Sequence, residues 1–219
     1  MSLNFSNRIL TATYLSLILS LSLFVNKYLW FSLLLVATLI SFYEFKNLIK
    51  KICKKKNKKF FFINILSFCY LIFFIYIAYQ FYNNSFLYLI FTLLICVCSD
   101  TGGYLVGKSI GGKKLTKISP NKTISGSVGS FLFSLFPIII FILFLDKNLI
   151  FISISNQILT CLFLSLTCQL GDLFISFFKR KANVKDTGSI LPGHGGLLDR
   201  IDGMIFAFPV YYLIKTAGI

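Results

Sequence analysis

Residues 60–82 read FFFINILSFCYLIFFIYIAYQFY, a run of 23 without one Asp, Glu, Lys, Arg or His. As a helix the run is about 35 Å long, enough to cross a hydrocarbon core of about 30 Å. A soluble core has little room for a helix apolar on every side, whereas lipid accepts it. Eight lysines between Lys46 and Lys59 precede the run, and the polar turn Asn83-Asn84-Ser85 follows it. Working outward, the same pattern marks spans at 9–25, 28–45, 86–106, 127–145, 149–178 and 201–216, with a second polar turn at Asp146-Lys147-Asn148. The fourth span carries Asp100 and several glycines and is expected to thin or break there. The sixth is too long for a simple crossing and is expected to leave the bilayer as a helix near Phe177. The fold class that follows is all-α, a polytopic integral membrane helix bundle of about seven transmembrane helices. Residues 1–82 form an N-terminal membrane region with the Lys-rich loop, and residues 83–219 carry the chemistry-bearing groups.

Composition agrees. Hydrophobic residues make up 57% of the 219 positions and Phe alone accounts for 26. The formal net charge is +15, with 22 Lys and Arg against 7 acids. In a soluble protein that balance points to nucleic acid. Here the bases lie between apolar runs, so membrane lipid headgroups and phosphorylated substrates are the expected partners, and nucleic acid is not. Five of the six cysteines lie inside apolar runs without a paired CxxC spacing, and read as small buried hydrophobes. Arg8 followed by an apolar run resembles a leader, but no small-residue cleavage pattern follows, and the run reads as the first helix. With the N-terminus cytoplasmic, 19 of the 22 bases fall on the inner side, leaving Lys27, Lys147 and Lys215 outside. The Lys-rich segment 46–59 is expected to fix topology and touch anionic headgroups. It lacks the glycines and acids needed to build a reaction site.

The acids carry the functional signal. Glu44 and Asp146 lie at span ends and read as boundary residues, whereas Asp100, Asp172, Asp186, Asp199 and Asp202 cluster at one membrane face. A carboxylate at membrane depth is costly unless paired or wet, so function is the default reading. Gathered aspartates repel unless a cation neutralises them, and Mg²⁺ takes one or two carboxylates plus phosphate oxygens and water. Two such ions can clamp an in-line displacement at phosphorus. Lys179, Arg180, Lys185 and Arg200 adjoin these acids and suit an anionic substrate.

Two loops share this character. Residues 185–202, KDTGSILPGHGGLLDRID, contain four glycines and a proline, which let backbone N–H groups approach a phosphate. His194, the only histidine, sits among those glycines (Gly195 and Gly196 follow it) and reads as a phosphate donor rather than a metal ligand. Asp199 and Asp202, three apart, share a helix face if the last span begins there. The earlier loop runs from Ser99-Asp100-Thr101-Gly102-Gly103-Tyr104 through Gly107 and Gly111-Gly112 to Ser119-Pro120-Asn121-Lys122-Thr123, and is weakly specific for phosphate alone.

The stretch from Ser176 to Asp202 resembles the signature of the phosphatidate cytidylyltransferases (CDP-diacylglycerol synthases). The match runs through Ser176, Lys179-Arg180, Lys185-Asp186, Gly188, Pro192, His194-Gly195-Gly196, Asp199-Arg200 and Asp202, with the spacing kept over 27 residues. Asp100, Tyr104, Gly107, Ser119-Pro120 and Lys122-Thr123 add a looser likeness, so the resemblance covers roughly the last 120 residues. Ser125 stands where the family usually has a glutamate, and Gly103 where alanine is common. The resemblance implies a dimeric helical membrane enzyme in a bacterial inner membrane, with its active site facing the cytoplasm. It implies Mg²⁺, two ions by expectation, on Asp172 and Asp199, with Asp202, Asp186 and Asp100 nearby. CTP and phosphatidic acid would react to CDP-diacylglycerol and pyrophosphate, with Ser119, Lys122 and Thr123 contacting nucleotide. Rival readings are a CTP-dependent lipid kinase, a cation transporter, which has no need of a basic phosphate cradle, and an inactive scaffold, which Ser125 alone suggests.

Overall fold

The computed structural model describes residues 3–53, 57–144, 153–191 and 195–217. Among these residues eight helices follow in order: α1 (Leu3–Val25), α2 (Lys27–Ile52), α3 (Lys58–Asn84), α4 (Phe86–Ile110), α5 (Ile124–Phe133), α6 (Phe136–Phe144), α7 (Ile154–Lys181) and α8 (Leu198–Thr216). No strand occurs among the described residues, only the isolated bridges Lys114–Thr123 and Leu191–Gly195. The expected all-α class is what the chain adopts.

Among the described residues, five segments are long and apolar enough to cross a membrane: α2, α3, α4, α5 with α6, and α7. Helix α8, by contrast, opens with Asp199, Arg200 and Asp202. That charged opening is why α8 falls short of the measure. Large apolar side chains point outward, Phe62 at 68% and Leu143 at 71% exposure, while Ser41, Ser99 and Ser165 are fully buried. That inside-out distribution suits lipid, where small and polar residues pack between helices.

Helix ends follow local chemistry. The Asn26 side chain accepts from Tyr28 N–H at 3.0 Å and starts α2. Only Ser85 separates α3 from α4, a tighter turn than the three residues expected. Pro137 lies four residues after Phe133, where its ring crowds the carbonyl and its missing N–H leaves it unbonded, so α5 ends at Phe133 and α6 begins at Phe136. The break expected at Asp100 does not occur: α4 runs unbroken to Ile110. Helix α7 continues to Lys181, past Phe177. The turn at Asp146 and the start of the sixth span lie outside the described residues.

The chain forms two compact units, Met1–Tyr82 with Phe178–Ile201, and Asn83–Phe177 with Asp202–Ile219. In the first, ring pairs Phe31–Tyr79, Phe42–Phe68 and Phe45–Phe178 join its helices. In the second, glycines set the spacing. A Cβ on Gly102 would lie 2.7 Å from Gly129 O, and one on Gly126 would lie 2.8 Å from Gly103 O. The backbones of α4 and α5 therefore touch along this seam, as small-residue stripes permit. These glycines serve packing, which corrects their reading as a weak point in the fourth span.

Candidate functional site

In the first unit, the segment after α7 folds back onto two carboxylates. Asp199, in the first turn of α8, receives Lys179 Nζ on Oδ1 at 2.7 Å. Its Oδ2 accepts from Thr187 N–H at 2.8 Å and Gly196 N–H at 3.1 Å, with Thr187 Oγ1 at 2.9 Å. Burial works against the charge, but Lys179 and the Thr187 donors outweigh it and hold the carboxyl below the usual carboxylate range. The second carboxylate comes from α2. Glu44, 2% exposed, accepts from Leu197 N–H at 3.1 Å and Leu198 N–H at 2.9 Å. Its Oε2 also lies 2.9 Å from Thr187 Oγ1, whose single proton can serve only one acid at a time.

Glu44 is thus no boundary residue. It caps the N-terminus of α8, where unsatisfied N–H groups and the helix dipole favour a negative charge. The reading of the sequence passed over it, although it is the only acid before Asp100 and lies at the end of an apolar run. It also accounts for two loop glycines. A Cβ on Gly188 would lie 2.9 Å from Glu44 Cδ, and one on Gly196 would lie 2.6 Å from Glu44 Oε2. Gly195 has φ +82, a left-handed backbone that favours glycine, and stands against Asp186, 3.1 Å from where its Cβ would be. The Gly195 N–H bonds Leu191 O at 3.1 Å, and the Gly196 N–H is taken by Asp199. The Gly195 and Gly196 N–H groups thus hold the loop itself instead of standing open to a phosphate. Arg180, Lys185, Asp186 and Arg200 lie on the exposed surface of this unit. His194, with Pro192 and Gly193, lies outside the described residues.

In the second unit the earlier loop is a closed structure. Ser119-Pro120-Asn121-Lys122 is a turn, with Lys122 N–H on Ser119 O at 3.1 Å and Pro120 in the position its fixed φ suits. Leu115 N–H to Lys122 O at 2.8 Å and Ile124 N–H to Lys113 O at 3.0 Å tie its arms together. Thr123 caps α5, accepting from Gly126 N–H at 3.0 Å. Ser125, in place of the expected glutamate, bonds the Gly111 carbonyl and Thr123 Oγ1. The turn directs Lys122 into an ion pair with Asp172 of α7, whose Oδ1 also receives Ser176 Oγ at 3.2 Å. Two motifs 50 residues apart are joined by this pair.

Close helix packing places two further acids in that unit. A Cβ on Gly171 would lie 2.8 Å from Asp202 O, so α7 and α8 cross tightly beside Asp172. Cys168, one turn earlier, donates to Asp100 Oδ1 at 3.9 Å, and its carbonyl would lie 3.2 Å from a Cβ on Gly203. Asp202 is buried, with Oδ1 accepting from Gly203 N–H at 2.8 Å, while Asp100 is exposed. No three His, Cys, Asp or Glu side chains among the described residues converge closely enough to hold a metal by themselves.

The two expected metal ligands differ. The Asp172 side chain is 31% exposed and bonds one partner per oxygen, which leaves lone pairs that fit a hydrated divalent cation completed by phosphate. The Asp199 side chain is 6% exposed and its oxygens are taken by Lys179, Thr187 and Gly196, so in this arrangement it does not fit a ligand. Its geometry is that of an anchor for the loop.

A family model described as "Cytidylyltransferase family" matches residues 6–217. The chain is 44% identical over 128 residues to phosphatidate cytidylyltransferase of Staphylococcus haemolyticus (strain JCSC1435), covering 58% of this chain and 48% of the relative. It is 43% identical over 128 residues to the protein of that name from Bacillus subtilis (strain 168), covering 58% and 46%. The chain spans about half the length of the curated relatives it matches.

Proposed function

Since the chain belongs to the cytidylyltransferase family, we propose that it transfers the cytidylyl group of CTP to phosphatidic acid, giving CDP-diacylglycerol and pyrophosphate. The observation that carries this reading is the Lys122–Asp172 pair. Without substrate the ammonium and carboxylate neutralise each other. A polyphosphate competes for the lysine, leaving the carboxylate to face a cation. A phosphatidate phosphate oxygen attacks the α-phosphorus of CTP. The bond to that oxygen forms as the bond to the bridging oxygen breaks, and pyrophosphate leaves with the electron pair. No protein nucleophile is required. Lys122 offsets charge on the phosphates, and Ser119 and Thr123 shape the turn that presents it. Mg²⁺ held by Asp172 would neutralise the triphosphate and favour attack at phosphorus. Asp199, Thr187 and Glu44 keep the 186–199 loop in place, and Lys179 balances Asp199.

The remaining assignments follow from charge and composition. The lysine distribution favours a cytoplasmic N-terminus, seven crossings and a reaction face on the cytoplasmic side of a bacterial inner membrane. Residues 83–219 carry the substrate-facing groups, and residues 1–82 supply anchorage and Glu44. A homodimer is the assembly that the family resemblance implies.

Purified protein supplied with phosphatidate, Mg²⁺ and CTP labelled at either the α- or the γ-phosphorus tests the reaction. Label from the α position should enter lipid, and label from the γ position should leave as pyrophosphate. Transfer of γ label to lipid would mean a kinase, and no labelled lipid at all would favour transport or a scaffold.

A further inference from the structure

Helix α2 has two dissimilar faces. Ser41, Glu44, Leu48 and Ile49 are buried, and Glu44 on that side holds the loop. Phe42, Tyr43, Lys46, Asn47 and Lys50 line a cavity of about 700 Å³ whose other wall includes Phe60, Asn64 and Phe68 of α3. The helices are antiparallel and the Phe42–Phe68 rings meet at 5.2 Å. At equal rise per residue, Lys46 then stands level with Asn64, and Lys50 with Phe60. The cavity is therefore amphipathic along its length. Its polar tier (Lys46, Asn47, Lys50, Asn64) lies toward the loop that joins the helices, beside Phe60 and Phe61, and its aromatic tier (Phe42, Tyr43, Phe68) lies deeper.

Two observations show that the polar tier lacks a partner. Neither lysine has an ion-pair partner among the described residues, where the only pairs are Lys122–Asp172 and Lys179–Asp199. Asn64 is 8% exposed; its amide donates to Phe60 O at 2.7 Å, but its Oδ1 has no hydrogen-bond partner among the described residues. An unpaired buried acceptor is costly and calls for a donor. We propose that this cavity binds one anionic phospholipid whose headgroup bears hydroxyls, with its phosphate on Lys46 and Lys50, a hydroxyl on Asn64 Oδ1, and an acyl chain lying against the paired Phe42 and Phe68 rings. Charge complementarity selects this occupant over a zwitterionic lipid, and the deep aromatic tier selects it over a soluble anion.

Native mass spectrometry of the full chain in detergent, titrated with phosphatidylglycerol or phosphatidylcholine, tests the site. Phosphatidylglycerol should be retained preferentially, and K46Q/K50Q should weaken its retention about 30-fold at about 1 kcal/mol per lysine. Ile65→Trp, at an exposed position lining the cavity, should reduce retention while both lysines remain. Equal retention of the two lipids by the parent chain would overturn the proposal. So would an unchanged preference in K46Q/K50Q, or a second copy of the chain displacing the lipid.

Discussion

Replacing Glu44 by Gln tests whether an acid on α2 holds the start of α8. The native carboxylate gives one oxygen to Leu197 N–H and the other to Leu198 N–H and the Thr187 hydroxyl. In Gln one oxygen becomes an NH₂ group, so whichever way the amide turns, a backbone donor faces another donor. One buried N–H left unpaired costs about 1–3 kcal/mol, and loss of the charge at the helix N-terminus adds about 0.3–1. The expected total of about 1.3–4 kcal/mol corresponds to a fall of about 3–16 °C in the unfolding midpoint of a chain this size. Glu44→Ala, which removes all three acceptor contacts, should fall further. Thermal unfolding in detergent followed by intrinsic fluorescence supplies the midpoint, and turnover at a temperature where each variant is folded reports on the loop. A boundary residue would shift stability by no more than about 0.5 kcal/mol. Midpoints of both variants within about one degree of the parent would refute the anchoring role.

Lys122→Ala removes the partner of Asp172 and a phosphate-facing charge, and should lower kcat/KM for CTP about 10- to 100-fold, from a charge-assisted contact of about 1.5–3 kcal/mol; Lys54→Ala is the control, expected to be near parental in the same assay. Asp199→Asn should abolish turnover while the protein still inserts, and should also change the acid limb of stability. Because the folded carboxyl lies below its ordinary range, its contribution is present above the unfolded value of about 4 and is lost as pH falls through the lower folded value. Unfolding midpoints taken from pH 7 down to pH 3 should therefore converge for parent and variant only at the acid end. Gly129→Ala should cost about 1–3 kcal/mol, since its Cβ would sit 2.8 Å from Gly102 O and 2.5 Å from Val106 Cβ. An unchanged unfolding midpoint would mean that α4 and α5 can part at no cost.

Helix positions were legible because a lipid-facing helix is written in its local composition. The run 60–82 and the polar turns around it locate α3 without tertiary information. The loop 185–202 stood out in the sequence by its glycines and acids, but the purpose of the glycines did not. A glycine that admits a phosphate and a glycine that admits Glu44 look alike in one dimension. Gly102 and Gly103 raised the same ambiguity and resolved into helix contact with α5. The span read as continuous over 127–145 breaks ahead of Pro137, whereas Asp100, where a break was expected, proved compatible with an unbroken helix. The role of Glu44 depends on N–H groups more than 150 residues away, which no local pattern encodes.

That separation bears on biosynthesis. Thr187, the first of the partners of Glu44, is 143 residues downstream. At 5–20 residues per second the ribosome needs about 7–30 s to reach it. Throughout that interval a carboxylate in the second helix has been delivered to the translocation machinery with nothing in the chain yet made to receive it. A nascent intermediate must keep this side of the helix hydrated or sheltered by an insertase until the last helix arrives. Chains arrested before residue 187 are accordingly the ones a quality-control protease should recognise first.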